Sequence, residues 1–384
     1  MDFNQYHKNQ QILSQITRHT ASSIKILQTK IVQWNDSTEN ELEKDLDLIH
    51  FIFKHSRACS SSFSSNCAAQ LLYPQLAQLI INQTDDEKIT MLSYSLLICM
   101  IDLIKHDSLS PLPTSQSLRF ISIACPLWSH HKIYICRKSM ELCYRLLSRI
   151  NDNESGIIVD KLILYIQKCH AHLSRADIEK IRSHEYTEFY FNGDNLSMMV
   201  YDRSTIRWLI QIIFALFLKQ GKIHQPLIKE IKDLYQHNHI YDLKELLFDI
   251  CCVNDEDTVQ LLDNVLSIYQ QQQQDNALFL STIDINPHTV FLFFLQRCGN
   301  THDILVDLLL ENDSEFITYF HRYIIYATQH IESFKKSNSD LGNDIDTIQT
   351  IIANTLLVLE GDGFPYNAKP LIRRLTLFEE NLFA

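Results

Sequence analysis

Ile206-Arg207-Trp208-Leu209-Ile210-Gln211-Ile212-Ile213-Phe214-Ala215-Leu216-Phe217-Leu218 is the stretch whose reading decides the fold. Its apolar residues recur at helical spacing and spread over more than one face. A helix of that kind must be covered on both sides, by lipid or by other helices. Trp208 to Leu218 falls short of the ~18 apolar residues that a membrane span needs, and Gln211 interrupts it. That leaves the inner layer of a stack of helices. Val290 to Leu295 has the same two-faced character.

Helical periodicity extends outward from these segments. Leu42, Leu46, Ile49 and Phe53 share one helical face. Thr38 with Glu41, and Thr84 with Glu87, have the spacing of a capping box. Asn254 is followed by Asp255, Glu256 and Asp257, which suit the positive end of a helix dipole. Another helix runs from Asp313 through Phe316, Phe320, Tyr323 and Ile324. The pattern predicts about fifteen helices of roughly 12 to 22 residues with short polar joints. Gly and Pro number only 7 and 8 among 384 residues. Sandwiches, barrels and nucleotide-binding α/β folds need more tight turns than that. The expected fold is all-α, an armadillo- or HEAT-like helical array, although no repeat of fixed period is visible.

Three segments interrupt the pattern. Arg57 to Asn66 is Ser-rich and reads as a loop. Gln270 to Gln274 reads as the end of a helix. Tyr186 to Tyr201, with Asn192-Gly193-Asp194 at its centre, reads as either a short β-hairpin or a long loop between helical blocks.

The formal net charge is −12, which disfavours general nucleic-acid binding. The charge is uneven. Arg119 to Arg182 holds eleven Lys or Arg against six Asp or Glu, whereas Thr301 onward holds six against thirteen. A basic face in an acidic protein can dock an acidic partner, but solvated helix faces are the better explanation of such a run. The polar segment Met1 to Gln15 lacks the apolar core of a signal peptide, so the ten cysteines are expected to be reduced thiols of a cytosolic or nuclear protein.

Motifs for chemistry are sparse. Gly361-Asp362-Gly363 is too short for a phosphate loop. No two cysteines have Cys-x-x-Cys spacing. Cys169-His170-Ala171-His172, His237-Asn238-His239 and His130-His131 are better read as structural or surface residues than as metal ligands, because their spacing does not converge three side chains. Cys136 and Cys143 fall on one helix face and are expected to pack as a pair of thiols. Cys251 and Cys252 are neighbours and cannot readily bridge each other. Asp85-Asp86 are helix-start acids. No catalytic residue, cofactor or metal is therefore expected.

Two C-terminal stretches resemble a known family. One is Pro287 to Tyr326, with Phe291-Leu292-Phe293-Phe294-Leu295, then Ile304 to Leu310, the acidic joint Glu311-Asn312-Asp313-Ser314-Glu315, and Phe316 to Tyr323. The other is Gly363-Phe364-Pro365-Tyr366-Asn367 followed by Pro370-Leu371-Ile372-Arg373-Arg374-Leu375. Together they resemble the Lines family of developmental regulators, with Ala368 where that family's turn would place a proline. The resemblance implies an armadillo-like fold, with an N-terminal-type region over 1–338 and a C-terminal-type region over 339–384. It also implies a non-enzymatic role in Wnt-type signalling or transcriptional control through partner proteins, in cytoplasm or nucleus. Nucleic acid, membrane and small-molecule substrates are not expected as partners. A trafficking or assembly adaptor, and an enzyme with a site assembled from distant residues, are the rival readings.

The closing motif also has a physical reading. Pro365 stops the preceding helix, Asn367 caps the next one, and Pro370 falls in its first turn. Leu371, Leu375, Phe378 and Leu382 then form one stripe, expected to pack along Ile345, Ile348, Ile352, Leu356 and Leu359, with Phe364 and Tyr366 wedged at the turn. Phe364, Pro365, Tyr366, Asn367, Pro370, Arg373 and Arg374 are the candidate partner contacts. Packing of a terminal cap is the favoured role for this segment, and a partner-binding epitope is the alternative.

Overall fold

The computed structural model describes Glu41, Lys44, Asp45, Asp47, residues 87–106, 114–130, 132–151, 154–172, 174–182, 202–219, 225–237, 242–271, 274–311, 315–361, Phe364 and residues 367–383. About 85% of these are helical, in sixteen α-helices and one 3-10 helix, with no strand among the described residues. The fold is all-α, as the periodicity requires. The hairpin-or-loop segment 186–201, the Ser-rich stretch and the stripe from Leu42 to Phe53 lie outside the described residues. The helices run from 8 to 20 residues, so several are shorter than the pattern suggests. Polar joints such as 298–302 and 341–344 stop them early.

The chain divides into two compact units, one within Met1–His172 and Tyr186–Lys219, the other within Leu173–Glu185 and Gln220–Ala384. The first contains α1 (Glu87–His106), α2 (Thr114–Ala124), a 3-10 helix (Cys125–Ser129), α3 (Ile133–Leu147), α4 (Gly156–His172) and α6 (Arg203–Lys219). Its centre is α3, against which α1, α2, the 3-10 helix and α6 all pack. Leu209, Ile212, Phe214, Leu216 and Phe217 of α6 are buried, and no α6 residue is fully exposed. The two-faced helix is therefore covered by protein on both sides.

Trp128 anchors the 3-10 helix to α4. It is 1% exposed and meets Tyr165 edge-on at 6.0 Å. Cys143 pairs with Cys125, Sγ to Sγ 3.9 Å, and not with Cys136. The Cys136 thiol instead donates to the His130 carbonyl at 3.0 Å. Seven residues along a helix are about two turns, roughly 10 Å, so 136 and 143 share a face without touching.

The second unit contains α5 (Arg175–Arg182), α7 (Gln225–His237), α8 (Leu243–Cys251), α9 (Asp255–Gln270), α10 (Gln274–Thr282), α11 (Pro287–Arg297), α12 (Asp303–Leu310), α13 (Phe316–Gln329), α14 (Ile331–Asp340), α15 (Ile345–Leu359) and α16 (Lys369–Phe383). Its starts and stops are chemical. Asn254 caps α9 by accepting from the Asp257 N–H at 2.8 Å. Asn286 accepts from the N–H groups of His288 and Thr289, both at 3.0 Å, while Pro287 occupies the first helical position. α11 and α14 both end in Schellman turns, with Gly299 at φ 79° and Gly342 at φ 71°. The N–H groups of Asn300 and Asn343 reach back to the carbonyls of Leu295 and Asn338.

α11 is an inner helix that packs on α9 and α14. Phe291 lies 4.2 Å from Tyr323 and 5.9 Å from Phe320, ring centre to ring centre, and Phe316 stacks on Phe320 at 5.3 Å. This aromatic spine is the core of the unit. Arg322 crosses from α13 to α9, donating to Asp263 at 2.7 Å, Ser267 at 2.8 Å and Gln270 at 2.7 Å. Gln270, first residue of the glutamine run, thus ends its helix while serving as an acceptor.

Leu371, Leu375, Phe378 and Leu382 of α16 are all at least 96% buried. They pack on α15 as expected, but also on α13 and α14. Phe378 meets Phe334 of α14 edge-on at 5.2 Å. The last helix is thus inserted among three partners.

Candidate docking cleft

The first unit carries a cleft of about 310 Å³ between α1, α3 and α6. Tyr94 of α1 and Tyr134 of α3 form one wall, edge to face at 5.2 Å. Arg137, Lys138 and Glu141 follow Tyr134 along α3 at i+3, i+4 and i+7, which places all four on one side of that helix. Ser204, Arg207 and Trp208 of α6 close the other wall.

The cations are held in place. Asp202 caps α6, accepting from the Thr205 N–H at 2.8 Å and from its hydroxyl, and also pairs with the Arg137 guanidinium. One carboxylate therefore fixes both the start of a helix and the position of a cation. Glu141 accepts from Lys138 Nζ at 2.8 Å and from Arg145 Nε at 3.0 Å. Burial pushes the Glu141 carboxyl up, but Lys138 and Arg145 outweigh it and hold the group below its ordinary value. The Arg207 guanidinium sits 5.4 Å above the Trp208 ring, and Trp208 leans on Tyr144 at 5.5 Å. Three cations and one carboxylate line the cleft.

The C-terminal candidates lie in the second unit. Asn367 Oδ1 accepts from the Lys369 N–H at 3.2 Å, so it does support the start of α16, and Pro370 falls in the first turn. Phe364 is half-buried, while Asn367, Pro370, Arg373 and Arg374 are exposed. Pro365 and Tyr366 lie outside the described residues. The segment brings Arg373 and Arg374 side by side on the outer face of a helix whose inner face is core.

His130 is structural, its Nδ1 accepting from the Lys132 N–H at 3.1 Å. His237 ends α7, while His131, Asn238 and His239 are outside the described residues. Cys169 is buried in α4. Among the described residues, no three His, Cys, Asp or Glu side chains come close enough to share a metal ion. No single described helix is long and apolar enough to cross a membrane. The helices at Asn276–Thr282 and Pro287–Arg297 reach the length together, but are bent by 48°.

Residues 232–337 match the family described as Lines N-terminus. The match runs from the middle of α7 into α14 and contains the first of the two stretches that resemble that family. The closing stretch 363–375 lies beyond it. No curated protein matches the chain. The cleft also lies outside the matched residues. Its two walls are separated by some sixty residues of sequence. The basic excess over Arg119 to Arg182 was the only sign of it, and that excess gives no hint of Arg207 or Trp208.

Proposed function

We propose that this chain is a non-enzymatic protein-interaction scaffold of the Lines type. The match of 232–337 to the Lines N-terminus supports this reading, because it covers the inner helices on which the second unit is built. In this reading 1–338 is the N-terminal-type array and 339–384 the C-terminal-type region. The partners are signalling proteins, Wnt-type among them, or transcription regulators, in cytoplasm or nucleus. The work is done by helix surfaces and the grooves between them. Nucleic acid, membrane and small-molecule substrates have no part in it. Phe364, Pro365, Tyr366, Asn367, Pro370, Arg373 and Arg374 are retained as the family's closing motif, with the two arginines as the contact residues.

Proximity labelling with the full chain, followed by mass spectrometry, tests this. Signalling and transcription regulators should dominate the labelled set. A set dominated by vesicle-coat or assembly factors would replace the reading with that of a trafficking or assembly adaptor.

A further inference from the structure

We infer that the outer face of α16 docks on the same face of a second copy of this chain, with the two helices antiparallel. The inference goes beyond the scaffold reading and does not depend on it.

Exposure and spacing define the face. Lys369, Arg373, Thr376, Leu377 and Glu380 are exposed, Leu377 at 41%. They recur at +4, +7, +8 and +11, opposite the buried stripe of Leu371, Leu375, Phe378 and Leu382. Arg374, also exposed, and the half-buried Glu379 flank them.

The charges run in the wrong order for the helix itself. A helix dipole favours acids at the start and cations at the end. α9 begins with Asp255, Glu256 and Asp257, and α12, α14 and α15 each carry an acid in the first turn. α16 has no acid in its first turn and no cation in its last. Its cations, Lys369, Arg373 and Arg374, stand in the N-terminal half, and its carboxylates, Glu379 and Glu380, in the C-terminal half. Among the described residues, none of these five side chains is in an ion pair. The dipole therefore opposes this order, and no neighbouring charge offsets it.

An antiparallel second copy does offset it. Arg373 then faces Glu380 of the second copy, Glu380 faces Arg373 of the second copy, and Thr376 and Leu377 meet at the twofold axis. An all-acidic partner would be repelled by Glu380, and an all-basic one by Arg373. Only a surface with both signs in the reverse order complements the whole face. One helix face buries less than a standard interface, and two chains of net −12 repel each other. The dimer is therefore weak and dissociates on dilution.

Sedimentation equilibrium of the full chain, from micromolar to submillimolar concentration, tests this. The mass should rise from one chain towards two. Arg373→Glu and Glu380→Arg, each checked by circular dichroism and melting temperature, should each weaken association about tenfold or more, because each sets like charges face to face. An equimolar mixture of the two variants should dimerise again, and so should the double variant, since both restore opposite charges. A parent chain that stays monomeric throughout would overturn the inference, and that series needs no variant. So would folded single variants that dimerise as the parent does, or a mixture and double variant that stay monomeric. A monomeric chain that still labels signalling partners leaves the scaffold reading intact.

Discussion

His288 shows how one buried side chain ties stability to pH. It is 1% exposed among Tyr323, Tyr326 and Phe334, with Nδ1 3.5 Å from the Tyr323 hydroxyl. Burial and the nearby His330 push its pKa down to about 3 from an ordinary 6.5. The unfolded chain therefore takes up a proton near 6.5 and the folded chain only near 3. Stability from this group is complete above pH 6.5 and falls as pH drops through that window. Between pH 6.5 and 5 the loss should be about 2 kcal/mol, at ~1.4 kcal/mol per pH unit. Urea unfolding of His288→Phe should show a flatter acid limb than the parent, and an unchanged limb would discount His288 as the cause. Phe378 is the second residue-scale case. Removing a ring 1% exposed against Phe334 should cost about 3 to 5 kcal/mol in Phe378→Ala, seen as a lower melting temperature. Reversing the exposed Arg373 and Arg374 together should leave the melting temperature within a degree or two. Loss of partner capture in that double variant would make the arginines a contact surface. Asn254 and Asn367 were legible in sequence as helix-start residues because capping is local. The partner of Cys143 was not, because it lies on another element.

At the scale of elements, α16 behaves as a wedge. Its apolar stripe was visible in the spacing of Leu371, Leu375, Phe378 and Leu382, and so was one of its partners, α15. Its contacts with α13 and α14 were not, since helical spacing says which face is buried and nothing about how many helices bury it. Deleting Phe364 to Ala384 removes four large buried side chains, at ~1.5 to 3 kcal/mol each, and uncovers faces of three helices. That sum rivals the whole stability of a domain. The truncated chain should aggregate or fail to melt cooperatively, as gel filtration and calorimetry would show. A truncated chain that stays monomeric and as heat-stable as the parent would rule out the wedge. α6 offers the matching lesson. Two-faced hydrophobicity placed it inside, but only the folded chain shows that its second turn brings Arg207 and Trp208 beside Arg137 and Lys138.

At the scale of the whole molecule, the cysteines give a direct check. None of the eight described cysteines is in a disulfide, with Cys99, Cys125, Cys136, Cys143, Cys169 and Cys251 buried and Cys252 and Cys298 partly accessible. The ten cysteines of the chain should all titrate as thiols in denaturant. In the native protein Cys252 and Cys298 should react ahead of the six buried ones, and elemental analysis should find no stoichiometric zinc. One equivalent of a transition metal per chain would contradict this. By itself the sequence determined what depends on neighbours within a few residues: helix as the secondary structure, the capping residues at several helix starts, and which faces turn inward. Capping, periodicity and the scarcity of Gly and Pro act over one or two turns, so they can be read along the chain. The tertiary structure alone decided what depends on distant segments meeting. It seated α16 among three helices, paired Cys143 with Cys125, enclosed His288 in aromatic rings, and joined α3 to α6 as two walls of one cleft. Those contacts are settled by how faces pack, and a face's apolar pattern does not name its partner.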